Sequence, residues 1–202
     1  PFWLAGGYGN PKQVQSALDA GAAGVQVGTA FSLCDESGMR DDLKKRMIQK
    51  VMNEEAVVFT SPFTSPTGFP FKVAQLEGTL SDPQAYEERS RICDLGFLRI
   101  LYKREDGSVG YRCASEPVDA FVKKGGAVED TANRSCLCNN LTATAGFPQI
   151  RKDGYVEQPI ITSGDDLVAV GQFLKDGKTS YSAEDVISYL LGPFLRPSLA
   201  TG

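Results

Sequence analysis

The sequence predicts an α/β fold on three observations. Residues Leu4 to Phe31, LAGGYGNPKQVQSALDAGAAGVQVGTAF, read as strand, glycine turn, helix, strand and second glycine turn. Amphipathic helical patterns follow at residues 41–55 and in the tail beyond residue 163. Short β-branched and aromatic runs lie between them, as at residues 56–60 and 158–162.

In the first stretch, Leu4 and Ala5 end an apolar run. Gly6 and Gly7 let the backbone turn sharply and leave its N–H groups bare. Asn10 is suited to the N-cap and Pro11 to the first helical position. Val14, Ala17 and Leu18 recur at helical spacing, and Gly21 fits the end of that helix. Residues 23–27 form the second strand, followed by Gly28-Thr29. Strand, helix and parallel strand make a βαβ unit, and ligands bind at the C-terminal ends of such strands. The N–H groups of Gly6, Gly7 and Gly28 can converge on phosphate oxygens, with the Thr29 hydroxyl as a further donor. One such glycine alone needs no more than a tight turn. As a pair spaced around one helix, they predict an anion cradle.

AGGYG followed by GAAGVQVGTAF resembles the last two barrel strands of the nitronate monooxygenase family, formerly the 2-nitropropane dioxygenases. The segments SPTGFPFKV, YRCASEP, KGG and CLCNNL resemble a long-chain branch of that family. The resemblance implies the C-terminal part of a TIM-type β/α barrel, its last two strands, with an α+β extension. It implies FMN as cofactor, with the phosphate held by Gly6, Gly7, Gly28 and Thr29 and flanked by Ala5 and Gln26. It implies a small nitronate and molecular oxygen as substrates. Tyr8 departs from the family, where a smaller aliphatic residue is common. The resemblance also implies that six strands, the flavin-ring contacts and the catalytic histidine lie upstream, making the remainder of the barrel a partner. The chain has no histidine, so its catalytic group is unknown. An enoyl-acyl-carrier-protein reductase on the same barrel shares these phosphate motifs. A non-flavin barrel binding a phosphorylated substrate, and a non-catalytic interaction module, are the further alternatives.

Composition narrows the classes. Of 202 residues, 42% are hydrophobic, enough for a core. Lys and Arg total 21 against 25 Asp and Glu, so the net charge of -4 argues against a nucleic-acid partner. No apolar run reaches the length of a membrane span, and no signal peptide is evident. Five cysteines are an odd number, and with a cofactor motif they favour a reducing cytoplasm. Association into a homo-oligomer is left open.

The expected division is residues 1–60, the end of the barrel, and 61–202, a loop-rich α+β extension. Helix 41–55 carries Leu43, Met47, Ile48, Val51 and Met52 on its apolar side, with Lys44, Lys45, Arg46 and Lys50 on a solvated face. Three prolines and a glycine in residues 61–70 forbid a regular element, and a connector is expected there rather than a lid. Residues 71–76 are compatible with strand or helix. Ser81 or Asp82 before Pro83 opens a helix over 84–93. Residues 97–102 and 109–112, around the turn Glu105-Asp106-Gly107, suit a hairpin. Residues 117–124 form a short helix stopped by Gly125-Gly126. Residues 135–145 suit a helix carrying Leu137 and Leu141 on one face.

Cys93, Cys113, Cys136 and Cys138 are the second candidate site. Four thiolates can hold zinc or an iron–sulfur cluster, but one C-x-C and two isolated cysteines are not paired knuckles. A buried, reduced cluster is the expected state, with metal binding and a redox disulfide as alternatives. Cys34 reads as structural. In the tail, residues 158–162 are apolar and β-branched, and Ser163 with Asp166 has capping-box spacing before a helix to Gly177. TSGDD also resembles an anion-binding helix start, but its acids repel phosphate. Ser182 with Asp185 repeats the capping pattern, and Gly192-Pro193 is expected to close the last helix.

Overall fold

The computed structural model describes residues 1–195 and has a mixed α/β architecture of small sheets and helices. Contacts divide the chain into two compact units, one of residues 1–57 with the segment from Ser163 onward, the other Val58–Thr162. The expected 60/61 division follows the sequence linearly. The contacts instead group the tail with the first 57 residues.

In the first unit, β1 (Trp3–Ala5) and β2 (Gly24–Gln26) pair in parallel, with Trp3 opposite Gly24. The register suits that glycine, because a Cβ there would lie 3.2 Å from the Trp3 ring. Helix α1 (Pro11–Asp19) joins the two strands. The Asn10 side chain accepts a 3.0 Å hydrogen bond from the Gln13 N–H, satisfying one orphan donor of the first turn. Val14 and Ala17 face inward, while Leu18 is exposed. Gly21 takes φ +83 after the last turn, the left-handed conformation that closes a helix. A one-turn helix α2 (Thr29–Ser32) follows β2, and α3 (Asp41–Met52) buries Leu43, Met47, Ile48 and Val51.

Lys44 corrects the expected solvated face, for it is buried too. Its ammonium donates to the carbonyls of Asp35 at 3.0 Å and of Cys34 and Ser37 at 3.4 Å, and lies 3.1 Å from the Asp41 carboxylate. A long apolar stem with a polar tip suits that position.

The tail starts with a 3-10 stretch, Asp165–Phe173, rather than the expected α-helix. Gly164 is its N-cap and makes no side-chain cap bond, so the Ser163–Asp166 capping box is not formed. Helix α7 (Ala183–Leu195) does begin with a reciprocal box. The Ser182 N–H donates to Asp185 at 2.8 Å and the Asp185 N–H donates to Ser182 Oγ at 3.1 Å. It runs through Pro193 rather than ending at Gly192. Tyr181 stacks on Phe173 with centroids 4.9 Å apart, and its hydroxyl donates to the Ala30 carbonyl at 2.7 Å.

The second unit contains two antiparallel hairpins. Strand β3 (Val58–Ser61) pairs with β4 (Phe71–Ala74), so residues 62–70 are a hairpin loop within this unit rather than a connector to it. Helix α4 (Pro83–Glu88) is capped by Asp82 and stops five residues short of the expected end, where Arg89 turns extended. Strands β5 (Ile100–Lys103) and β6 (Val109–Arg112) form the expected hairpin. Helices α5 (Val118–Lys123) and α6 (Leu137–Thr144) also lie within their expected ranges. Residues 158–162 are no strand. They run extended and irregular, their carbonyls accepting from the N–H groups of Leu80 and Ala74. Val73, Leu80, Leu137 and Ile160 form a core cluster. Arginines staple the loops through main-chain carbonyls: Arg134 reaches Phe63 and Ser65 at 2.8 and 2.7 Å, and Arg91 reaches Ala114 at 2.7 Å. Buried carbonyls that no ladder satisfies need such donors.

Candidate anion-binding site

The site is built at the C-terminal ends of β1 and β2, in the first unit. After β1, Gly6 and Gly7 take φ +89 and +84, a region that side chains other than glycine rarely occupy. Both are exposed, and a Cβ on either would meet nothing within 4 Å. After β2, Gly28 is exposed and equally open. Glycine is therefore needed at Gly6 and Gly7 for backbone shape, and the surface in front of the three is accessible. Ala5 and Gln26, the last residues of the two strands, are exposed.

Thr29 behaves differently from its expected role as a free donor. It is buried, and its hydroxyl donates to Asp166 Oδ1 at 2.7 Å. Thr29 Oγ1 in turn accepts the Gly164 N–H at 3.0 Å. Gly164 is pressed against the pair, since a Cβ there would lie 2.6 Å from Thr29 Oγ1. The other Asp166 oxygen lies 3.2 Å from where a Cβ on Gly9 would stand. One carboxylate thus lies on Thr29 after β2 and beside Gly9, two residues past Gly7, while Gly6, Gly7 and Gly28 stay open. Gly9, Gly164 and Asp166 are the site residues that sequence reasoning missed. Gly164 and Asp166 lie in the TSGDD segment, set aside because of its acids, and Gly9 is the last glycine of AGGYG.

The cysteines do not form a second centre of this kind. All five are free thiols, with Cys34 and Cys113 buried and Cys93, Cys136 and Cys138 half-buried. Among the described residues, no group of three or more His, Cys, Asp or Glu side chains is placed to hold a metal. Burial pushes the Cys136 thiol up to about 12 and raises Cys93 and Cys34 as well, which keeps these groups protonated and poorly nucleophilic. The Cys113 thiol is instead engaged with Ser115 Oγ at 3.1 Å.

No helix among the described residues is long and apolar enough to cross a membrane. Compared with curated proteins and with solved structures, the chain matches none. Residues 1–69 match the family model described as nitronate monooxygenase. That match, about a third of the chain, contains both glycine corners whose resemblance pointed to the same family.

Proposed function

We propose that this chain supplies the phosphate-binding end of an FMN-dependent oxidoreductase of the nitronate monooxygenase type. One observation carries the reading: within the family-matched segment, two bare and open glycine corners lie one helix apart at the C-terminal ends of paired parallel strands. Exposed main-chain N–H groups at such strand ends have the shape and polarity to seat an anion.

The N–H groups of Gly6, Gly7 and Gly28 and the hydroxyl of Thr29 would hold the phosphate, with Ala5 and Gln26 beside them. Bound there, the flavin would supply the redox chemistry that oxidises a nitronate with molecular oxygen. The chain's share is position and charge. With a net charge of -4 the overall field opposes an anionic cofactor, so binding depends on these local donors. Trp3 at 60% exposure and Phe2 at 49% leave apolar surface beside β1, which supports the remainder of a barrel as the neighbour of this strand pair.

The test uses the complete protein containing this chain. Purified, it should show a flavin spectrum, retain FMN on gel filtration, and consume oxygen when given an alkyl nitronate. Gly7→Ala strains the backbone by about 1 kcal/mol or more at positive φ, yet its methyl group meets nothing. It should fold and lose roughly ten-fold or more in FMN affinity. A protein that takes up no FMN, or a Gly7→Ala variant that binds it unchanged, defeats the proposal.

A further inference from the structure

We propose that Asp166 is a built-in competitor for the Thr29 hydroxyl, displaced from it when a phosphate group binds at the glycine corners. The inference rests on the proposed phosphate site and adds a way of regulating it.

Three observations lead to it. The single O–H of Thr29 points at Asp166 Oδ1 at 2.7 Å, so that hydroxyl has no second proton to offer a phosphate oxygen. The other carboxylate oxygen stands beside Gly9, so the negative charge lies at the edge of the open corners. A phosphate dianion taking the Thr29 hydroxyl would face the Asp166 carboxylate now bound to it, a repulsion that a partly buried site screens poorly. Binding therefore requires the carboxylate to withdraw.

The segment that carries Asp166 is suited to withdrawing. It is a 3-10 stretch of nine residues, Asp165–Phe173, and such helices are seldom sustained beyond three or four. Its hydrogen-bond geometry is poorer than that of an α-helix, so a shift of its first turn breaks weak bonds. Leu167 and Val170 anchor the following turn in the core, confining movement to the start. The tail thus competes with the ligand for one site, and apparent affinity is lowered by the share of molecules in which Asp166 sits at Thr29.

The experiment titrates FMN and riboflavin, which lacks the phosphate, into the flavin-stripped complete protein, as wild type and as Asp166→Asn. The amide keeps an acceptor for Thr29 and removes the charge. The expected result is FMN binding about ten-fold tighter in the variant, with riboflavin changed by less than about two-fold. Weaker or unchanged FMN binding in a variant with a wild-type thermal transition overturns the inference, and weakening would make Asp166 a positioning residue for Thr29. If Asp166→Asn does not fold, Asp166→Ser removes the same charge with a shorter side chain and is read the same way. If wild type prefers FMN to riboflavin and the variant gains nothing, only the displacement fails. If neither protein prefers FMN, the phosphate site fails and this inference with it.

Discussion

The Lys44 ammonium donates to the main-chain carbonyl of Asp35 at 3.0 Å, from a side chain only 8% exposed. It thereby ties α3 to the loop that leaves α2, the element carrying Thr29. Nearby, the Asp35 N–H donates to the Tyr181 carbonyl at 2.8 Å, so the loop is held from two sides within this unit.

Replacing that lysine tests the tie. Lys44→Met keeps the apolar stem and removes the charge, leaving the carbonyls of Cys34, Asp35 and Ser37 without their shared donor. The expected loss is about 2 kcal/mol, the range for a hydrogen-bonded charge in a part-buried setting. Urea unfolding followed by circular dichroism measures it. A loss below about 0.5 kcal/mol would show that water replaces the ammonium freely.

The start of α7 predicts a particular acid sensitivity. Glu36 accepts the Ala183 N–H at 2.7 Å and Asp185 accepts the Ser182 N–H at 2.8 Å. These main-chain donors are the chief reason both carboxyls titrate below their ordinary values of 4.5 and 3.8. Groups with a depressed folded-state pKa stabilise the fold above the unfolded value, and that contribution is lost as pH falls through the folded value. Thermal midpoints of the wild type should therefore drop as pH falls below about 4.5, the unfolded value of the glutamate. Glu36→Gln and Asp185→Asn should each flatten the drop. Parallel profiles for wild type and both variants would remove these carboxylates from the account.

The contrast between what could and could not be read from the sequence has one physical source. Asn10, Pro11 and Gly21 act on their own helix, and Ser182 with Asp185 acts across one turn, so α1 and the start of α7 were legible. Asp166 looked like a cap for its own helix, but its partner Thr29 lies 137 residues away, and that hydroxyl took the carboxylate from local duty. In α6 the apolar pair Leu137 and Leu141 pointed to a conventional inner face. Leu141 is exposed at 37%, while Asn139 and Asn140 are fully buried. Residues 158–162 have strand composition but spend their carbonyls singly on Ala74 and Leu80, so no ladder forms. Lys44 was assigned outward from its charge, yet three loop carbonyls made a buried ammonium affordable. Propensity is local, and each miss belongs to a partner supplied from elsewhere in the fold.

Those buried asparagines predict the behaviour of Glu157. Its side chain, only 3% exposed as a residue, accepts from Asn140 Nδ2 at 2.8 Å and Asn139 Nδ2 at 3.2 Å, with the Arg151 guanidinium at 3.8 Å. Desolvation raises its pKa above the ordinary 4.5, against the lowering effect of the two amides. Glu157→Ala removes one acceptor from each amide, leaving Asn139 with Asp94 and Ile92 and Asn140 with Gln158, and should cost about 3 kcal/mol, mostly through the cavity and one unpaired Asn140 N–H. Glu157→Gln keeps the shape and should cost less. The raised pKa also sets the sign of a pH effect. A carboxyl titrating higher in the folded state favours folding at low pH, and that contribution fades as pH rises through its folded value. The glutamine has no such loss, so the stability gap between wild type and Glu157→Gln should narrow from pH 4.5 to neutrality. Urea midpoints at the two ends of that range decide it. A gap that widens would mean that the amides and Arg151 favour the ionised carboxylate more than burial disfavours it.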